Sequence, residues 1–182
     1  MKKIWLFTFV VVILQAGSVY TMAFNKLSIK RYGSPIKVRV EPIDPRSLFR
    51  GDYVILRYPF SSVKREDIGL GKCEMHDIKN IYIVLKKTGD LWEYERASSD
   101  KPEISRDEVF LKGSVVSDVF GYSNNLGVRY GIESYFVPEG EGRILEKSRE
   151  KGNLAAEIYV DSKGRALLTG LFVKGEKATF GK

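Results

Sequence analysis

The single cysteine and the single histidine of this 182-residue chain stand close together, in Cys73-Glu74-Met75-His76-Asp77. A thiolate beside an imidazole is the pair that a cysteine nucleophile needs. The same run offers sulfur, nitrogen and carboxylate ligands to a metal, but a structural zinc site would have to complete its set with acids, which is unusual. A solvated loop is therefore the expectation for 73–77. A Ser–Lys peptidase needs a base within hydrogen-bond reach of its serine. Ser47 lies four residues before Gly51 and follows Pro45 instead of preceding it, and no lysine stands in a matching second segment. Glu139 and Glu141 could serve glycoside hydrolysis only at a defined separation, and read more simply as exposed acids of a turn. No catalytic set, metal or cofactor is expected from these residues.

The richest run is Asp44-Pro45-Arg46-Ser47-Leu48-Phe49-Arg50-Gly51-Asp52-Tyr53-Val54-Ile55-Leu56-Arg57-Tyr58. Pro45 keeps Asp44 out of helix, Gly51-Asp52 is a turn signal, and a strand follows from Tyr53 to Phe60. Alternation sends Val54, Leu56 and Tyr58 to the core and Tyr53, Ile55 and Arg57 outward. A second box, Arg129-Tyr130-Gly131-Ile132-Glu133-Ser134-Tyr135-Phe136-Val137-Pro138-Glu139-Gly140, is similar in kind. Tyr and Arg are frequent anchors of binding surfaces. The candidate partner or ligand surface is accordingly Asp44, Arg46, Arg50, Gly51, Asp52, Tyr53, Tyr58, Arg129, Tyr130, Tyr135 and Glu139, with a cleft shared between the boxes. The competing reading is structural: Asp44 and Asp52 hold Arg46 or Arg50, and the aromatics fill the core.

Gly51-Asp52-Tyr53, Leu56 and Tyr58 stand at the spacing of the GDYXXLXY family of bacterial membrane-anchored proteins, with Val54-Ile55 and Arg57 in its free positions. Asp44-Pro45-Arg46 and Leu48-Phe49-Arg50 resemble that family's lead-in, and the second box resembles its second conserved segment. The likeness covers most of the chain beyond the anchor. It implies a membrane anchor and an envelope location, and brings no established activity with it.

The formal charge is +7, with 30 basic and 23 acidic residues interleaved, which describes a mixed, solvated surface. Lys26, Lys30 and Arg31 beside the anchor add an attraction to anionic lipid. No nucleic-acid motif is present, and no nucleic acid is expected as a partner. A lone cysteine excludes an internal disulfide.

Lys2-Lys3 opens an apolar run from Ile4 to Phe24, interrupted by Gln15 and by Ala16-Gly17-Ser18. Small residues at 16–18 could mark a signal-peptide cut. The whole run also reaches the length of a bilayer-spanning helix, and a retained anchor is the reading taken. Residues 1–24 are the anchor, 25–35 a juxtamembrane linker and 36–182 a β-rich domain. The short N-terminal tail puts that domain outside the cytoplasm, on a single-pass protein of the bacterial cytoplasmic membrane.

Ile36, Val38 and Val40 alternate as a half-buried strand. Residues 80–87 and 91–96 form a hairpin around Thr88-Gly89-Asp90, with Trp92, Tyr94 and Arg96 on one face. Residues 61–78 read as an irregular connection, with a short helical turn starting near Lys64. Val109 to Val116 is a strand with a bulge at Gly113, residues 122–127 a turn, and Val128 to Phe136 one strand. The one soluble helix runs from Pro138 to about Lys151. Ala155–Val160 and Arg165–Val173 form the last hairpin, with Ala166, Leu168 and Gly170 opposed to Leu167, Thr169 and Leu171. The fold class is mainly β, an antiparallel barrel or sandwich with one short helix, preceded by a single N-terminal transmembrane helix. The function expected is that of a non-catalytic envelope protein docking onto an integral membrane partner. An envelope hydrolase of peptide or glycan, or a small-ligand-binding module, is the alternative.

Overall fold

The computed structural model describes residues 2–41, 53–68, 79–116, 125–138 and 154–179. It opens with one helix, α1 (Lys2–Tyr32), whose apolar side chains from Ile4 to Phe24 are largely exposed. Ile4–Tyr32 is long and apolar enough to cross a membrane. The helix continues without a break past Phe24 to Tyr32, where Lys30 and Arg31 sit favourably against its negative C-terminal end. Gly33 closes it by donating to the Ile29 carbonyl at 2.8 Å. A Cβ at Gly33 would stand 2.5 Å from that carbonyl and 3.0 Å from the Val160 carbonyl, so only glycine lets the helix end sit this close to the sheet.

The strands are β1 (Ser34–Arg39), β2 (Tyr53–Ile55), β3 (Ser62–Lys64), β4 (Asn80–Thr88), β5 (Leu91–Ser98), β6 (Glu108–Val116), β7 (Asn125–Arg129), β8 (Ser134–Phe136), β9 (Leu154–Val160), β10 (Ala166–Val173) and β11 (Glu176–Lys177). Nine of them form one sheet in the order β11-β10-β9-β1-β5-β4-β6-β7-β3, and β2 pairs with β8 in a separate ribbon. The large sheet is not closed, so the architecture is an open, sandwich-like one and not a barrel. It is also mixed: β1 runs antiparallel to β9 but parallel to β5. A parallel pair needs a long crossover, and β1 is followed by the whole first box before β5 begins.

Expected alternation holds along β1, where Ile36 and Val38 point inward and Val40 follows them into the core. It also holds in Val54, Leu56 and Tyr58, all buried. Two bulges break it elsewhere. In β5, Leu85 pairs with Tyr94 and Val84 with Arg96, so Glu95 is the extra residue. Tyr94 and Ala97 therefore face the core, and Arg96 lies on the opposite face from Trp92 and Tyr94, contrary to simple alternation. In β10 the register shifts between Leu168 and Gly170, so Thr169 is extra. Leu171 then joins Ala166 and Leu168 on the core side, where unbroken alternation had opposed them. Glu157 supports this bulge by accepting the Thr169 hydroxyl at 3.1 Å and pairing with Lys177 at 2.9 Å.

Gly113 is not at a bulge: β4 and β6 pair in continuous register from Asn80–Ser114 to Lys86–Glu108. Its missing side chain has another cause. A Cβ there would collide with the Val128 methyl and stand 2.7 Å from the Tyr130 ring. Within 61–68 a strand, β3, was not anticipated, and the short helical turn is a 3-10 turn at Glu66–Ile68. Residues 125–127, expected in a turn, belong to β7. The segments 69–78, with Cys73 and His76, and 139–151, expected to be helical, lie outside the described residues.

Candidate functional site

The chain leaves the large sheet after β1, and the described end of the first box begins with β2 of the separate ribbon. It is bonded on both sides, by an isolated bridge and by a strand. Glu41 donates its N–H to the Arg57 carbonyl at 2.8 Å on one side. On the other, β8 pairs antiparallel with β2, Tyr53 opposite Phe136, Val54 opposite Tyr135 and Ile55 opposite Ser134. The Leu56 N–H extends this ladder to the Glu133 carbonyl at 2.8 Å. The two boxes are thus neighbours, joined strand to strand.

Their tyrosines complete the join from inside. Tyr58, 1% exposed, donates its hydroxyl to the Ile132 carbonyl at 2.8 Å. Tyr130 donates to the Phe60 carbonyl at 2.6 Å. The first box thus satisfies a buried backbone acceptor of the second, and the second one just beyond the first. The rings are close as well: Tyr58 stacks on Phe60 at 5.2 Å, and Phe60 meets Tyr130 edge-on at 5.3 Å. Burial first, and the Glu133 charge second, push both hydroxyls well above the ordinary tyrosine value. They stay protonated donors and are unsuited to proton abstraction.

The second box is not one strand. It is β7, a corner at 130–133, and β8. Gly131 takes φ +81°, the left-handed region that glycine adopts freely. The Glu133 carboxylate folds back over the corner and accepts the backbone N–H groups of Tyr130 and Gly131, the latter at 2.9 Å. The corner shifts the alternation. Tyr130 and Ile132 face inward, and so do Tyr135 and Val137, while Ser134 and Phe136 turn out. Gly131 inside an otherwise strand-like pattern was the available signal for such a break.

Of the candidate residues, Tyr58 and Tyr130 are core, and their burial removes them from any contact surface. Arg129 is exposed at the end of β7, and Tyr135 is half-buried beside the core. Tyr53 is placed in β2 by its backbone. Asp44, Arg46, Arg50, Gly51, Asp52 and Glu139 lie outside the described residues. Two residues absent from the candidate set emerge instead. Among the described side chains, Ile55, 40% exposed, and Phe136, 57% exposed, are the apolar ones on the ribbon's outer face.

Where the described parts of the boxes meet, core side chains fill the space. Other described residues line two grooves. One of about 410 Å³ is lined by Lys37, Arg39, Lys174, Asp90 and Phe172. A wider one of about 970 Å³ runs beside the end of α1, past Tyr32, Lys101, Ile104, Arg106 and Ser162. Among the described residues no three His, Cys, Asp or Glu side chains converge on a possible metal position.

Neither the curated proteins nor the solved structures include a match to this chain. The family model described as GDYXXLXY protein matches residues 15–171, from within the apolar helix to the end of the core part of β10. With both boxes inside that span and the first reading Gly-Asp-Tyr-x-x-Leu-x-Tyr from Gly51 to Tyr58, the chain belongs to the GDYXXLXY family.

Proposed function

We propose that this protein is a membrane-anchored component held outside the cytoplasm, which docks onto an integral membrane partner and catalyses no reaction of its own. The outer face of the β2–β8 ribbon is the docking surface. The observation that carries this reading is the division of labour within the boxes. Leu56, Tyr58 and Tyr130 are buried in joining them, while Ile55 and Phe136 stand outward, with Arg57 also exposed on the Ile55 side. Apolar side chains bordered by arginine are the composition of a contact surface. The length and apolarity of α1 support the anchor, and Gln15 within it offers a hydrogen bond to a second membrane helix.

Crosslinking and pull-down of the full-length protein from its native membranes tests the reading. Wild type is compared with a doubly substituted Ile55→Ser, Phe136→Ser variant after both melt cooperatively. A membrane protein captured by wild type and lost with the variant supports docking through the ribbon. Equal capture by both moves the contact off the ribbon, and capture of nothing by either removes the docking reading.

The groove around Phe172 favours a second reading, a module for a small anionic ligand. The Lys37 ammonium sits 4.1 Å from the Phe172 ring centre, and Arg39 and Lys174 line the same groove. A thermal-shift panel of small carboxylates and phosphates, repeated with Arg39→Ala, would reveal a stabilising anion whose effect the variant loses.

A further inference from the structure

The end of α1 is fixed to the sheet, and this sets the depth of one turn relative to a bilayer. Ile4 to Phe24 covers about 30 Å at the helical rise, the thickness of a hydrocarbon core. Asn25 is then the first residue at headgroup level. Val160 lies against Gly33, and the turn Asp161–Arg165 leaves the sheet at that point. Arg165 reaches back along the helix, and its guanidinium lies 3.4 Å from the Asn25 side-chain oxygen. Asn25 is two helical turns nearer the apolar run than Tyr32, about 10 Å along the axis.

The turn is held rigidly in that place. Asp161 accepts the Lys163 and Arg165 N–H groups, each at 2.9 Å, and pairs with the Arg165 guanidinium at 2.7 Å. The Gly164 carbonyl accepts the Lys112 N–H at 2.8 Å, and a Cβ on Gly164 would stand 2.6 Å from the Phe110 ring. Exposed Ser162 and Lys163 form its tip. The charge on the helix beside it is of one sign, with Lys26, Lys30 and Arg31 and no Asp or Glu before Glu41 in the chain, while Glu103 and Glu108 line the groove on its other side together with Lys101 and Arg106. Asp161 is the acid of the turn, and Arg165 neutralises it.

We propose that the β9–β10 turn is a membrane-contact element that rests on the bilayer surface and binds the phosphate of anionic lipid headgroups through Lys163 together with Lys26 and Lys30. The domain then has one fixed orientation on the membrane. The β10–β11 turn lies at the opposite end of β10, about 23 Å away along the strand, and points to the aqueous side. Each cation near an anionic surface adds to the attraction, so a few suffice to orient an already anchored domain. This inference rests on α1 being a membrane span, and is independent of which partner the ribbon meets.

The test uses the full-length chain with Cys73→Ser and a nitroxide placed at Ser162→Cys or, for comparison, at Glu176→Cys beside the β10–β11 turn. Each is reconstituted into vesicles of phosphatidylcholine alone or of equal parts phosphatidylcholine and phosphatidylglycerol. Collision with a water-soluble nickel chelate is read by electron paramagnetic resonance. The label at 162 is expected to collide several-fold less often than that at 176 in the anionic vesicles. Lys26→Glu with Lys163→Glu should abolish that difference. Equal accessibility of the two labels in anionic vesicles overturns the proposal, and so does protection at 162 that is the same without phosphatidylglycerol. Extraction of the protein by alkaline carbonate is measured in parallel. Release would remove the membrane span itself, whereas retention with equal label accessibility would remove only the contact element.

Discussion

The Tyr58 hydroxyl donates to the Ile132 carbonyl, 2.8 Å away and 74 residues further along the chain. Tyr130 returns the bond in the opposite sense, to Phe60 at 2.6 Å. The last tyrosine of the family signature is thus one half of a reciprocal clasp whose other half is in the second box. A signature of this kind is explained by folding: the hydroxyl must reach one carbonyl, the ring must stack on Phe60, and no other side chain does both.

Tyr58→Phe and Tyr130→Phe each leave a buried carbonyl without a partner while keeping the ring. Each should cost about 1–3 kcal/mol of unfolding free energy. Because both rings touch Phe60, the double variant should depart from additivity. Urea unfolding of the two singles and the double measures this. A cost within error of zero for both singles would show that the clasp does not hold the boxes together.

Glu133 makes a second, separable prediction. Glu133→Ala removes the acceptor of two backbone N–H groups at the corner, for a loss of about 1–3 kcal/mol. Glu133→Gln keeps one acceptor oxygen and should lose less. The Leu56 amide, bonded to the Glu133 carbonyl, should exchange with deuterium faster in the alanine variant. Unchanged exchange there would separate the side-chain clasp from the β2–β8 ladder.

How much of this was legible in the sequence follows from what period-two alternation can carry. It placed Ile36, Val38, Leu56 and Tyr58 in the core correctly, because no extra residue interrupts the extended chain there, although the strand expected from Tyr53 to Phe60 ends at Ile55 and a 3-10 turn follows at Pro59–Ser61. It misplaced Arg96 and Leu171, each beyond an extra residue. A single inserted residue reverses every later side chain, and the local composition around Glu95 and Thr169 does not announce it. The parallel β1–β5 pair was illegible for a different reason, since strand order depends on non-local contacts that leave no local pattern. For the candidate site, adjacency of the boxes was legible in their shared Tyr-rich character. That Tyr58 and Tyr130 face each other's backbone instead of solvent was not, because a tyrosine suits a core and a surface equally well.

Gly113 offers a steric prediction. Gly113→Ala puts a methyl group against Val128 and Tyr130, and overpacking of this kind costs about 1–3 kcal/mol. Pairing it with Val128→Ala opens space for the new methyl group and should recover part of the loss. If Gly113→Ala melts at the wild-type temperature, glycine at this position has a reason other than packing.

The acid limb of stability should depend on Glu108. Its carboxylate accepts two bonds from the Arg96 guanidinium and one from the Ser105 N–H at 2.9 Å. The Arg96 hydrogen bonds chiefly, and the Ser105 N–H next, hold its pKa down to about 2, against 4.5 for an ordinary glutamate. A carboxyl that binds its proton less readily when folded adds stability wherever the folded form is ionised. That contribution is complete above pH 4.5 and is lost as pH falls through about 2. Glu108→Gln removes the ionisation and should flatten the stability curve across this window relative to wild type. Arg96→Met should do the same by returning the carboxyl towards its ordinary value. Both variants keep the β4–β6 ladder, which is backbone-bonded throughout, so the comparison isolates the ion pair. Chemical denaturation at intervals from pH 5 down to pH 2 reads the slope, and wild-type and variant curves that run parallel across that interval would show that the Arg96–Glu108 pair is not formed in solution.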